Sequence, residues 1–306
     1  MNFARAAEFP ERSVKLINAT VIGATIDSVA RILVDKMSKQ LGQQVILDYK
    51  PGASGAIGAS FVAQGAKDGH TMFIGTSSTL GFLKMVNKEL PYDPVADFAP
   101  VAMVGSVPVG IFTNPASGIN SIEDLVAAAK AKPEQVSYAS NGPLTLTHLA
   151  GVLLSQRAGI RMIHVPYVGS SARYWNDLLG GQLQAVIVGA GGGLALAREG
   201  KVKLIGVASA ERSKLLPQIP ALGVVYQGLD VPAWFGLAVA AGTPAAYVQK
   251  LEAAALFALR DPATRTGFSN IGVDLDPILG ARAFASKISS DNKMWEVTLK
   301  AAGLMT

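Results

Sequence analysis

Cysteine is missing from this chain of 306 residues. That rules out disulfides and thiol chemistry, and it leaves any zinc site to histidines and carboxylates. Histidine is scarce as well. Its three positions, 70, 148 and 164, stand far apart, with no i,i+4 pair and no His-Glu motif to hold a metal. No G-x-S-x-G elbow occurs and no convincing carboxylate pair falls on a cleft-facing stretch, so no catalytic centre is expected. Ser77 or Ser170 beside His148 is the one nucleophile–base pair that can be imagined, and no activity is expected of it. No apolar run reaches the roughly 18 to 20 residues of a spanning helix. The start, "MNFARAAEFPERS", has no apolar h-region, so it carries no signal peptide as written. It reads as the trimmed end of an exported protein with Met1 added.

What is present is a large apolar complement. Half the residues are hydrophobic and 16% are charged, a composition that buries a sizeable core and excludes disorder. The length points to two lobes. The formal charge of +5, from 27 basic against 22 acidic residues, is spread along the chain with no basic tail. Nucleic acid is therefore not an expected partner, whereas a small anion is.

Strand-like and helix-like runs alternate. Strands are expected over 13–20, 43–50, 70–78, 135–142, 161–169, 182–190, 203–210 and 233–242. Helices are expected over 25–42, closed by Gly42, over 121–134, over 243–261 with Pro244 near its start, and over 281–303. This alternation argues for α/β architecture with parallel sheets and a ligand crevice at the strand ends. No internal repeat or low-complexity linker breaks the pattern.

The stretch "PGASGAIGAS" (51–60) follows a strand and spaces its glycines at 52, 55 and 58. A dinucleotide fingerprint requires G-x-G-x-x-G and an acid about 20 residues on. Here the spacing is G-x-x-G-x-x-G, and Asp68 sits in the turn-like "KDGH". "GAGGG" (189–193) has the wrong spacing too, and no P-loop lysine is present. A nucleotide-binding enzyme is the weakest of the functional readings.

Several long segments resemble the solute-binding receptors of tripartite tricarboxylate transporters, the Bug receptors. They are "LGQQVILDYKPGASGAIGASFVAQGAKDGHTMFIGT" (41–76), "LPYDPVADFAPVAMVGSVP" (90–108) and "SIEDLVAAAKAKPEQVSYASNG" (121–142). "THLAG" (147–151), "HVPYVG" (164–169), "DLLGGQLQ" (177–184) and "WFGLAVAAGTP" (234–244) continue the likeness in order. The resemblance implies a type II periplasmic-binding-protein fold with two lobes and a cleft. Lobe 1 would comprise 1–106 and 230–306, and lobe 2 would comprise 107–229. "PGASGAIG" would then be lobe-1 scaffold, with its glycines serving positive φ and close helix–sheet packing. Such receptors hold carboxylates largely with backbone N–H groups at helix N-termini, so no Arg or Lys is required.

Five loops carry the expected site. In "ATVIGATIDS" (19–28), the N–H groups of Gly23, Ala24 and Thr25 would hold one carboxylate, with Ile22 as a wall and Asp27 beside them. Alternatively, Thr25 caps the helix. Bulky Val21, Ile22 and Ala24 stand where the family has prolines and glycines. In "GTSSTLG" (75–81), Thr76, Ser77, Ser78 and Thr79 offer donors at a strand end, or cap the next helix. In "SNGPLTLTH" (140–148), Asn141, Gly142 and Thr145 would face the ligand, while His148 reads as structural. In "YVGSSARYWNDLLGG" (167–181), Gly169, Ser170 and Ser171 open a helix towards a distal carboxylate. Arg173 would reach the same carboxylate or stand solvated on the helix surface, and Tyr174 and Trp175 would pack in lobe 2. In "AVIVGAGGG" (185–193), Val188 and Gly189 complete the set. Val188 replaces the acid with which amino-acid-binding members hold an ammonium group.

The implied function is an extracytoplasmic receptor, periplasmic after signal removal, monomeric and without cofactor. Its partners would be a small carboxylate and the membrane components of the transporter. Apolar residues at 22 and 188 favour an aromatic or medium-chain dicarboxylate, terephthalate- or adipate-like. A periplasmic sensor that shows its closed form to a signalling partner is the alternative.

Overall fold

The computed structural model describes residues 9–20, 22–167, 170–275 and 277–305. Its strands are β1 (Val14–Asn18), β2 (Val45–Tyr49), β3 (Thr71–Thr76), β4 (Phe98–Ser106), β5 (Val109–Thr113) and β6 (Ser137–Ser140). They continue as β7 (Ile163–Pro166), β8 (Ala185–Gly189), β9 (Lys203–Val207), β10 (Trp234–Ala240) and β11 (Leu279–Gly280). The helices begin with α1 (Thr25–Leu41), α2 (Ala56–Ala63), α3 (Leu83–Val86), α4 (Ile122–Ala131), α5 (Leu146–Ala158) and α6 (Ser171–Leu179). They end with α7 (Leu194–Arg198), α8 (Leu222–Val225), α9 (Ala245–Arg260), α10 (Pro262–Asn270) and α11 (Ala281–Ala301).

Two sheets result. One has six strands in the order β11-β4-β10-β3-β1-β2, and the other five in the order β7-β6-β8-β5-β9. The sheets are mixed, which corrects the expectation of parallel ones. β1, β2 and β3 run parallel, but β10 is antiparallel to both β3 and β4. In the second sheet β5 is antiparallel to β8 and β9. The reason is the route of the chain. β4 runs from the first sheet into β5 of the second through residues 107 and 108, and β10 brings it back. The two crossings lie side by side, with Val107 N–H donating to Ala233 C=O at 2.9 Å.

Local chemistry explains the helices that frame the cleft. On α1, Ile26, Val29, Ala30, Leu33 and Met37 are buried at helical spacing, and Gly42 ends the helix in the left-handed region at φ 67°. Ser121 caps α4 by accepting from Asp124 N–H, and Thr145 caps α5 by accepting from His148 N–H. The first sheet's core includes Phe73, Phe82, Trp234, Phe284 and Trp295, all under 2% exposed. Trp234 meets Phe284 edge-on at 5.0 Å and donates Nε1–H to Asp291 Oδ2 at 2.7 Å, so its polar edge is satisfied inside the core. Phe112, Tyr174, Trp175 and Val188 belong to a separate core cluster on the second sheet. No helix among the described residues is long and apolar enough to cross a membrane.

Candidate functional site

A cavity opens between the two sheets, with about 810 Å³ of space free of protein atoms counted out to the solvent at its mouth. Its floor is made by the crossings, through Val107, Val109, Ala233 and Phe235. From the first unit, built on the six-stranded sheet, come Ala19, Thr20, Ala24, Thr25 and Ile26, then Pro51, Gly52, Ser54 and Gly55, then Thr76, Ser78 and Thr79. The second unit, built on the five-stranded sheet, adds Asn141, Thr145, Leu146, Thr147 and Gly189. None of these residues carries a charge.

The donors are of two kinds. Ala24 precedes α1 with no side-chain cap, so the first N–H groups of the helix are left for solvent or a ligand. The N-terminal turn of α5 reaches the cavity from the other side, through Leu146 and Thr147. Both ends bring partial positive charge to a cavity that has no basic side chain. Hydroxyls supply the rest. Thr76 Oγ1 lies 2.8 Å from Ser78 Oγ, and Thr79 Oγ1 receives Thr76 N–H at 3.0 Å. The Oδ1 of Asn141 is buried without a hydrogen-bond partner, while its backbone N–H donates to Thr147 Oγ1 at 3.0 Å. An acceptor left in this state gains from a donor, such as a hydroxyl or a water.

Several residues expected at the site lie elsewhere. Gly23 is left-handed at φ 80°, and its N–H is spent on Asp27 Oδ2 at 3.0 Å. Asp27 is a brace for the loop: its Oδ1 also accepts from Tyr49 Oη at 2.6 Å and its Oδ2 from Arg31 Nε at 3.3 Å. Burial, then the bond to Asp27, pushes the Tyr49 phenol up to about 12, and the same carboxylate raises the Arg31 guanidinium. Ile22 is half exposed and does not wall the cavity; its carbonyl accepts from Ser171 N–H at 3.2 Å. Ser170 pairs with Ile22 as an isolated bridge. Residues 22, 170 and 171 thus join the two units to each other.

Ser77 is buried under the return crossing, where its Oγ donates to Pro232 C=O at 3.1 Å. Gly142 lies behind the lining, accepting from Thr145 Oγ1 at 2.7 Å. Arg173 is exposed, its guanidinium 6.0 Å from the Tyr167 ring. Val188 points into the second core and Gly189 alone of that pair meets the cavity, because neighbouring strand residues face opposite ways. Thr25 does not cap α1; its Oγ1 donates across the cleft to Gly189 C=O at 3.4 Å. Gly169 lies outside the described residues, as do Val21 and Val168.

The glycine stretch combines scaffold and site. Gly52 and Gly55 adopt φ of 129° and 93°, and a β-carbon on Gly58 would sit 2.6 Å from Ala19 Cβ and 2.9 Å from Lys50 C=O. Yet Gly52 and Gly55 also line the cavity, so their backbone stands where a ligand would approach as well as serving the scaffold. The floor residues 107, 109, 233 and 235 were not expected, although a chain crossing twice between lobes must pass beneath the cleft.

The family model for the tripartite tricarboxylate transporter family receptor matches residues 29–304. This chain belongs to that receptor family. Its members are receptors and not enzymes, in keeping with a cavity built of donors and apolar walls. Three solved structures follow this fold closely. The periplasmic binding protein BugD is 29% identical, with a TM-score of 0.90 over 97% of this chain and 99% of its own. Rpa4515 of Rhodopseudomonas palustris, solved with adipate, is 28% identical with a TM-score of 0.90 over 97% and 99% of the two chains. MatC of the same organism, with bound malate, is 28% identical with a TM-score of 0.89 over 95% and 100%.

Proposed function

We propose that this receptor works in the periplasm as a monomer, captures a small dicarboxylate in the cavity, and delivers it to the membrane components of a tripartite tricarboxylate transporter. The lobes that close on the acid are 1–106 with 230–306, and 107–229. The observation that carries the reading is the convergence of two helix N-termini, one from each unit, on a cavity with no charged side chain. An anion held there is stabilised by oriented dipoles and hydroxyls from both sides, so binding favours the joined arrangement of the units.

The ligand preference rests on the walls. Ala19, Ala24, Val107, Val109, Leu146, Ala233 and Phe235 give the cavity apolar wall alongside its polar groups. A medium-chain or aromatic dicarboxylate, adipate- or terephthalate-like, uses that apolar wall better than a compact hydroxy acid. The adipate complex supports the choice, and malate is its natural competitor.

The test is a thermal-shift screen of carboxylates followed by calorimetry. A ligand at 100 times its dissociation constant adds about 2.7 kcal/mol of stability. Adipate or terephthalate is expected to give the larger shifts. A clear win for malate or citrate sinks the chain-length preference, and silence across the acids sinks the carboxylate reading itself.

A further inference from the structure

Two segments of left-handed backbone face each other across the cavity. On the first unit Gly52, Ala53, Ser54 and Gly55 have φ of 129°, 45°, 56° and 93°. On the second, Gly142 and Leu144 have φ of 124° and 58°. Four non-glycine residues have positive φ among those described, and three of them, Ala53, Ser54 and Leu144, sit in these two segments. Such backbone costs free energy and persists where surrounding contacts impose it.

The contacts that impose it are visible. Ser54 Oγ donates across the gap to Pro143 C=O. Behind that carbonyl, Leu144 N–H donates to His148 Nδ1 at 3.1 Å, which ties the strained residue to α5. Gly52, Ser54 and Gly55 on one side, and Asn141 and Thr145 on the other, line the cavity. The bond therefore joins two parts of the cavity wall that belong to different units.

We infer that Ser54 and Pro143 form a latch that keeps the two units together over a bound acid, and that Ser54 governs how long the acid stays. Its hydroxyl proton is committed to Pro143, so it does not serve as a donor to the ligand. Removing it leaves the cavity's recognition groups in place and releases the wall. The inference rests on the cavity being the acid's binding site, as proposed above.

The test compares the whole protein with its Ser54→Ala variant. Adipate is the probe, and its association and dissociation are followed by stopped flow. One net hydrogen bond corresponds to about a fivefold change, so dissociation is expected to be about fivefold faster in the variant, with association within about twofold. A second readout needs no ligand. Lys88→Cys and Lys132→Cys place one dye on each unit of a chain that has no other cysteine. The short-distance population seen by single-molecule energy transfer should fall when Ser54→Ala is added. Unfolding midpoints of the two proteins control for damage to the fold. Unchanged dissociation and an unchanged distance distribution overturn the latch. If adipate fails to bind the parent protein, that failure belongs to the ligand reading, and the distance distribution alone decides the latch.

Discussion

At the scale of single residues, the site divides into groups that face the cavity and groups that hold those in place. Asp27 shows the second role most clearly. It is buried at 3% exposure and collects Gly23 N–H, Tyr49 Oη–H and Arg31 Nε–H. Replacing it with alanine removes the one acceptor these three donors share and frees the loop that starts α1. Hydrogen bonds to a charged group contribute about 1.5–3 kcal/mol each in partly buried settings, and exposed Arg31 adds little. Asp27→Ala is therefore expected to lower unfolding free energy by about 2–4 kcal/mol, read from urea titrations, and to weaken acid binding at the same time. A variant with parental stability shows the brace to be dispensable. Sequence reading had Asp27 in the right loop but not its direction. Whether a carboxylate turns towards a ligand or towards its own backbone depends on Tyr49, which arrives from β2.

At the scale of elements, α5 and β7 carry a titrating pair. His148 and His164 stack at 4.1 Å, His164 Nε2 lies 2.6 Å from Ser140 Oγ, and the tilted Tyr138 ring stands 5.2 Å from His164. Burial, and then the charge of His148, pushes His164 down to about 4, and burial lowers His148 as well. The folded form therefore prefers both rings neutral, whereas the unfolded chain protonates at the ordinary value near 6.5. The stability they contribute is complete above that value and is lost as pH falls from about 6.5 through about 4. Melting temperature should drop over that window, and His164→Gln should flatten the drop. An identical profile in both proteins overturns the assignment.

The elements themselves were largely legible in the sequence. The expected strand over 43–50 is β2 (Val45–Tyr49), and the expected helix over 243–261 is α9 (Ala245–Arg260). Both have strong local signals, either a short β-branched run or an amphipathic stretch after proline. β4, β5, β11, α7, α8 and α10 were not foreseen. β4 contains Pro100 and shows no alternation, and β11 has two residues. The antiparallel pairing of β10 depends on where the chain re-enters the first unit, and no window of local sequence records that. The same limit applies to the site. Thr76, Ser78, Asn141 and Thr145 stood out as polar groups in loops, but Val107 and Phe235 read as ordinary strand residues.

At the scale of the whole molecule, the two units also meet away from the cavity. A β-carbon on Gly191 would lie 1.8 Å from the carbonyl oxygen of Ile271, so a glycine at 191 lets α10's end and the loop before α7 come together. With the Ile22–Ser171 and Ser54–Pro143 contacts, this sets how near the units approach.

The position of β10 has a consequence for assembly of the chain. It lies between β4 and β3 in the six-stranded sheet, yet it is separated from them by more than a hundred residues of chain. The five-stranded sheet, by contrast, draws all its strands from residues 109–207. As a chain emerges from its N-terminus, the second unit can complete itself while the first still lacks a strand from its interior. Contacts that close long loops form slowly. In refolding from denaturant, pulsed hydrogen exchange should protect the amides of Ala139 and Val186 before those of Phe73 and Leu237. The reverse order would mean that the first unit nucleates without waiting for the strand that completes it.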